Sequence, residues 1–449
     1  MNGRRERSQA KKQGTKLEGV LPRSKLEKFC LQTQTVASLQ SGSQRCLSRP
    51  SAAYRAVRTC SRRATVFWAS SNLGSYNRQT NTMVAPSPQA VETTSKGQAA
   101  TSLSPVHGRS VWYADEYKNS DAWVYHLTDQ DVKELTSAVE GVQKSGKDIK
   151  DVIQADFPLP TLGPRLIQFR DEVVNGRGFQ LLRGFPVWKF TTEQTVIGYW
   201  GLGTYWGKAV SQNKKRHLIG HVKDLGLPGG HHDIVNRVYA TYGAQPYHCD
   251  PVDVVGLLCL KQAKEGGLSS WSSSHAVHNE LLQRAPELAS ELAQPLYLDR
   301  KNEIPEGKGP FYKLPVFNYH KGRLIVFYEN SFYQAAQRHP EVGPLSEAQL
   351  KAIDTFDAIA ASDELRMDWV LQPGDLQLLN NHQIVHTRAE FVDHEEWDKK
   401  RHLLRLWVAP PNGWPIPEEF EERYGSNEVG NRGGIVIPGF EPRVPLDAE

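Results

Sequence analysis

The chain has 449 residues, 39% hydrophobic and 23% charged, with a mean hydropathy of −0.53. No apolar run approaches the roughly 18 residues of a membrane-spanning helix, which excludes an integral membrane protein, and 11 Trp, 16 Tyr and 15 Phe exclude a wholly disordered chain. The net charge of +4 conceals a split: residues 1–91 carry 16 Lys/Arg against three acids, whereas residues 92–449 carry 38 against 47, so the body is acidic and nucleic acid is excluded as its main partner.

Residues 1–91 are basic, rich in Ser, Thr and Gln, and free of Asp. Three readings stand side by side: a disordered tail, an organellar transit segment, or an extension upstream of a start at Met83. The five cysteines form no CxxC pair and no regular framework, so a reducing compartment is expected. That compartment is the cytoplasm, or a mitochondrion or other organelle if the tail is a transit segment. Residues 92–110 read as a Pro/Ser/Gly linker, and folded sequence is expected from Val111 to about Ile435.

Helices are predicted at Asp129–Val142, where Thr128 and Asp131 form a capping-box pattern, at Thr161–Val174 and at Thr191–Trp206. Gly178–Arg183 reads as a short strand. After Gly243, short apolar runs bounded by Gly, Pro, Asn and Asp follow one another: VVGLLCL, GGLSSWS, PVFNY, RLIVFY, LQPGDLQLLN and HLLRLWV. This texture predicts a mainly β sandwich or barrel over about 240–410, interrupted by helices at Ala276–Leu292 and Ser346–Ala360. Gly425–Glu449 reads as coil wrapping the surface.

Weak motifs come first. GLGTYWG (Gly201–Gly207) follows a helix rather than a strand, so it reads as helix-to-loop punctuation and not as a phosphate cradle. His217 and His221 have zinc-helix spacing but lack the Glu that would act as base, and are expected to be solvated or to support another site.

A histidine and an acid two residues apart on a strand point to one face and can chelate one metal. Five such pairs occur: His231/Asp233, His248/Asp250, His278/Glu280, His339/Glu341 and His394/Glu396. Only His248-Cys249-Asp250 opens directly onto an apolar strand run, and Cys249 should then face away from the metal. A second, distant histidine is offered by NNHQIVHTR, which contains both His382 and His386. Arg401 and Arg405, in KRHLLRLWV, share a strand face with Leu403 and Trp407, and a buried guanidinium there needs an anionic partner.

These segments resemble the TauD/TfdA (clavaminate synthase-like) family of Fe(II)- and 2-oxoglutarate-dependent dioxygenases. GFQLLRGFPV, PYHCDPVDVVGLLCL, GGLSSWSSSHAVHNEL, NNHQIVHTR and KRHLLRLWV match its segments in order. The resemblance implies a double-stranded β-helix (jelly roll, cupin-like barrel) with flanking helices. It implies His248, Asp250 and His386 as metal ligands, with His386 favoured over His382, whose place the family often fills with Arg. Arg401 and Ser269 would hold the distal carboxylate of 2-oxoglutarate, and Arg405 the cosubstrate's other end or an acidic substrate. The expected cofactors are Fe(II), 2-oxoglutarate and O2, and the partner is a small-molecule substrate. Succinate and CO2 would be released. The retained Asp250 implies hydroxylation or a related oxidation rather than halogenation. By position, Tyr247, Asn213 and Tyr328 are candidate pocket residues. Two alternatives stay open: a zinc hydrolase on the same three ligands, and a non-catalytic metal-binding scaffold.

Overall fold

The computed structural model describes residues 103–228 and 233–449, so the readings of residues 1–91, of the linker before residue 103 and of His231 lie outside the described residues. After β1 (Val124–His126), α1 (Asp129–Ser145) starts where its caps require. The Asp131 backbone N–H donates to Thr128 Oγ1 and the Thr128 backbone N–H donates back to Asp131 Oδ2 at 2.8 Å. Leu135, Ala138, Val139 and Val142 form its buried stripe. Next come α2 (Leu162–Asn175), β2 (Phe179–Arg183) and α3 (Thr192–Trp206), close to their expected bounds.

The glycines of GLGTYWG depart from expectation, because Gly201 and Gly203 lie inside α3. That helix is buried on nearly every side, and a Cβ at Gly201 would overlap the Phe157 ring, while one at Gly203 would overlap Leu406. Their role is close packing, and only Gly207 ends the helix. Gly201→Ala is therefore expected to destabilise the protein. The helix-propensity gain of about 1 kcal/mol is outweighed by an overpacking cost of about 1–3 kcal/mol. Denaturant unfolding checks this, and a stabilised variant would contradict it.

The β-rich part contains β3 (Lys208–Ala209), β4 (Ile219–Val222), β5 (Gln245–His248), β6 (Val254–Lys261), β7 (Glu265–Gly266) and β8 (Ser269–Ser273). The single helix expected at Ala276–Leu292 is two, α4 (Ser274–Arg284) and α5 (Pro286–Leu292). Proline cannot donate to the helix ladder and disfavours helical geometry at the residue before it, here Ala285 with φ −155° and ψ 70°. Hairpins β9 (Leu296–Asp299)/β10 (Phe311–Leu314) and β11 (Phe317–His320)/β12 (Arg323–Val326) follow. Then come α6 (Asn330–Ala336), α7 (Glu347–Ala360), β13 (Met367–Trp369), β14 (Leu376–Asn380), β15 (Ile384–Arg388), β16 (Phe391–Val392), β17 (His402–Ala409) and α8 (Glu421–Tyr424).

Two sheets matter for function. The larger runs β1-β2-β14-β6-β17-β3, with β4 also paired to β17, and the smaller runs β13-β8-β15-β5. Their central strands are antiparallel and almost wholly buried. No described helix is long and apolar enough to cross a membrane.

The C-terminal coil does not simply wrap the surface. Arg432 is buried and bonded to Asp253, Gly433 and Gly434 lie against the backbones of Pro251 and Ser211, and Arg443 bridges to His217. This segment covers His217 and His221, which are buried rather than solvated. His221 contacts His402 at 2.8 Å and the Pro445 carbonyl at 3.0 Å.

Candidate metal centre

His248 ends β5, and the strand does not continue to Asp250. The chain turns there instead. The Cys249 N–H donates to the Tyr328 carbonyl at 2.7 Å, and the Asp250 N–H donates to Asn381 Oδ1 at 2.9 Å. Cys249 faces away as expected, with Sγ beside the Val326 and Ile384 carbonyls. His386 lies on β15 directly opposite His248, and the two rings are 4.1 Å apart.

One donor atom from each of His248, Asp250 and His386 falls within 4.8 Å of the others, and all three residues are buried. His386 Nε2 is 3.7 Å from Asp250 Oδ2, which has no hydrogen-bond partner. Among the described residues this is the one such group of three.

Electrostatics favour a divalent cation here. Burial pushes His386 down to about 3, helped by neighbouring His248, and burial likewise lowers His248. For Asp250 burial works upward, but Arg405 and the two histidines outweigh it and hold the carboxyl below its ordinary value. The result is two neutral imidazoles and one carboxylate. The Pro246 carbonyl lies 3.0 Å from His248 Nδ1, so an N–H donated there makes Nε2 the lone-pair atom, and in this structure the Gln245 side-chain amide nitrogen lies 2.8 Å from it.

His382 is elsewhere. Its Nε2 is 2.7 Å from Asp253 Oδ1, a carboxylate also gripped by Arg432. Of the other pairs, His278 sits on α4 bonded to Tyr319, His339 pairs with Asp299, and His394 lies in coil.

His248 and Asp250 border two chambers. The first is lined by His386, Ser269, Arg388, Arg401 and Arg405 among others. Arg405 donates from Nη1 to Asp250 Oδ1 at 3.2 Å and from Nε to Gln212 Oε1 at 2.8 Å, between the rings of Tyr239 and Trp407. Arg401, one residue ahead of β17, has no partner for Nη1, and burial pushes it down to about 10.

Arg388 was not foreseen. It follows His386 by two residues on β15, faces Ser269 across the strand pair, and donates one N–H to the Gly243 carbonyl. Its Nε and Nη1 have no partner, and burial, with Arg401 nearby, pushes it down to about 9. The two-residue spacing from His386 is the signal that could have found it. Three guanidiniums thus face one carboxylate in this chamber.

The second chamber is lined by Arg237, Tyr239, Tyr247, Lys301, Glu329 and Phe332 among others. Burial pushes Glu329 up to about 8. Tyr247 is thus a lining residue as expected. Tyr328 and Asn213 are not: Tyr328 stacks on Phe356 in the core and donates to Asp357, and Asn213 contacts His217.

Residues 132–407 match the family described as taurine catabolism dioxygenase TauD, TfdA family. The chain is 33% identical over 321 residues to FR-33289 synthase of Streptomyces rubellomurinus, an alignment covering 70% of this chain and 93% of that protein. It is 28% identical over 316 residues to the taurine hydroxylase-like protein SAT17 of Stachybotrys chartarum, covering 67% and 80%. Among solved structures, an asparagine oxygenase in complex with Fe(II), 3-hydroxyasparagine and succinate superposes with a TM-score of 0.49 at 16% identity, covering 64% of this chain and 93% of that one.

Proposed function

This chain belongs to the TauD/TfdA dioxygenase family, and from that premise we propose that it is an Fe(II)- and 2-oxoglutarate-dependent dioxygenase that oxidises a C–H bond of a small organic substrate, releasing succinate and CO2. The observation that carries the reading is the convergence of His248, Asp250 and His386 beside a chamber with unpaired guanidinium donors. The donor set fits Fe(II), and three protein ligands leave coordination positions for cosubstrate and O2. Iron and 2-oxoglutarate, when bound, supply the oxidising chemistry.

The chain's own residues do the rest. Arg405 keeps Asp250 ionised and oriented, and Pro246 sets the His248 tautomer. Arg401 and Ser269 hold the distal carboxylate of the cosubstrate, and three guanidiniums against one carboxylate suit a dianion. We read the two sheets as the faces of a double-stranded β-helix, with 111–435 as the catalytic domain, 92–110 as linker, 1–91 as a separate basic segment and 436–449 as terminal coil.

The test is succinate formation by the purified protein with Fe(II), ascorbate and 2-oxoglutarate. Iron-dependent succinate is expected. Retention of zinc with no succinate under any iron loading would overturn the reading in favour of a hydrolase.

A further inference from the structure

A further cavity lies behind the metal centre. Arg405 and Leu406 are neighbours on β17 and point to opposite faces of the sheet. Arg405 lines the chamber beside the donor set, whereas Leu406 lines a cleft of about 610 Å³ between α3 and the C-terminal coil. Small-molecule sites typically occupy roughly 300–1,000 Å³. Trp200 and Leu406 form the buried part of the wall. Ile153 and Val436, from opposite ends of the described chain, line the cleft while remaining 59% and 54% exposed. The proposed dioxygenase chemistry uses none of these four apolar side chains.

The charges around it select the ligand. Among the described residues no Asp or Glu lines the cleft, but Lys150, Lys208, Arg216 and Arg432 do. Lys150 is neutralised by Asp148 and Asp151, and Arg432 by Asp253. The other two have uncharged partners. Lys208 Nζ donates to Asn431 Oδ1, whose amide is in turn bonded to Glu428 outside the lining. Arg216 Nη1 donates to the Phe440 carbonyl at 3.0 Å, and its Nε is buried with no partner. The Arg216 backbone is fixed in a left-handed conformation, φ +58°, with its N–H on the Asn213 carbonyl at 2.9 Å and its carbonyl accepting from Arg443 at 3.2 Å. Such a conformation is costly for a residue with a side chain and persists only where the surroundings impose it. An apolar wall therefore adjoins two positive charges that no acid cancels. A cation would be repelled there, and an uncharged apolar ligand would leave the charges unused.

We propose that this cleft binds a free amphipathic carboxylate: an unbranched apolar chain packs along Trp200, Leu406, Ile153 and Val436, and its acid group docks on Arg216, with Lys208 adding to the positive field. The inference does not rest on the dioxygenase reading, because β17 separates the cleft from the donor set.

The experiment is a calorimetric titration of the full chain with decanoate, decanol and hexanoate, all below their aggregation limits, with and without saturating 2-oxoglutarate. A single decanoate per chain should bind, at least about tenfold more tightly than decanol, as a charge-assisted contact implies. Hexanoate should bind more weakly than decanoate, by roughly threefold or more for each methylene lost. Arg216→Gln combined with Lys208→Gln should reduce the decanoate-to-decanol ratio to about threefold or less. Arg216→Lys should keep part of the ratio. Lys208→Glu, at an exposed position where the fold is not at risk, should lower it as well. Saturating 2-oxoglutarate should leave decanoate affinity unchanged. The inference is overturned by a wild type that binds no decanoate, by equal affinity for decanoate and decanol, or by a ratio that survives these substitutions. Displacement of decanoate by 2-oxoglutarate also overturns it, since the ligand would then occupy the chamber beside the donor set.

Discussion

His386→Ala is expected to lower iron-dependent succinate formation by more than about 100-fold, since loss of a ligand exceeds the 10- to 100-fold typical of a supporting contact. Its unfolding midpoint should change little, because the imidazole packs around an intended ion rather than in the apolar core, and its Nδ1 makes no hydrogen bond whose loss would be felt. Asp250→Asn should lose turnover comparably and is preferable to Ala, because its amide oxygen can still accept from the buried Arg405 whereas Ala offers no acceptor. His382→Ala is the informative contrast. It breaks the buried contact with Asp253, a carboxylate that also anchors Arg432 of the C-terminal segment. A loss of about 1–3 kcal/mol of stability is expected, with turnover at saturating iron retained in the folded fraction. Turnover and circular dichroism measured on the same preparations separate the cases. Normal turnover in His386→Ala with loss in His382→Ala would mean that the wrong histidine has been assigned.

Arg401→Leu is expected to raise the 2-oxoglutarate half-saturation by tens- to several hundred-fold. A charge-assisted bidentate contact in a buried chamber is worth roughly 2–4 kcal/mol. The guanidinium is held for such a contact: its backbone N–H donates to Asp393 Oδ1 at 2.7 Å, and Gly267, with φ +70°, leaves it room, since a Cβ there would lie 3.0 Å from Arg401 Nε. Lys should not restore affinity fully, because a point charge cannot reproduce the planar fork. Arg405→Leu should act differently. It strips the donor from Asp250 Oδ1, so iron loading and substrate handling should suffer more than cosubstrate affinity. Separate titrations of iron and 2-oxoglutarate in each variant distinguish the two arginines. Unchanged 2-oxoglutarate half-saturation in Arg401→Leu, with a large rise in Arg405→Leu, would reverse their roles.

Where chain neighbours carry the information, sequence and structure agree. The Thr128/Asp131 cap lies within one helical turn, and α1 begins there. The apolar runs from VVGLLCL to HLLRLWV became strands because burial of both sheet faces is written into consecutive residues. The His248/Asp250 pair was legible for the same reason, since a single residue, Cys249, separates the imidazole from the carboxylate. Pro286 was equally legible and was overlooked, although it divides α4 from α5.

Partnership between distant groups was not legible. HQIVH offers two histidines, and their fates differ because Asp253 meets His382 while His248 meets His386 across a strand pair. His217 and His221 look solvent-facing until the C-terminal coil covers them. Arg388 is an ordinary charged residue in sequence. The unpaired state of its Nε and Nη1 in the chamber beside the donor set follows from which strands and loops lie opposite it. Helix caps and strand alternation are short-range properties that survive in any window of the chain. Whether a buried charge is satisfied depends on groups brought near it by folding, and only the assembled tertiary structure decides that.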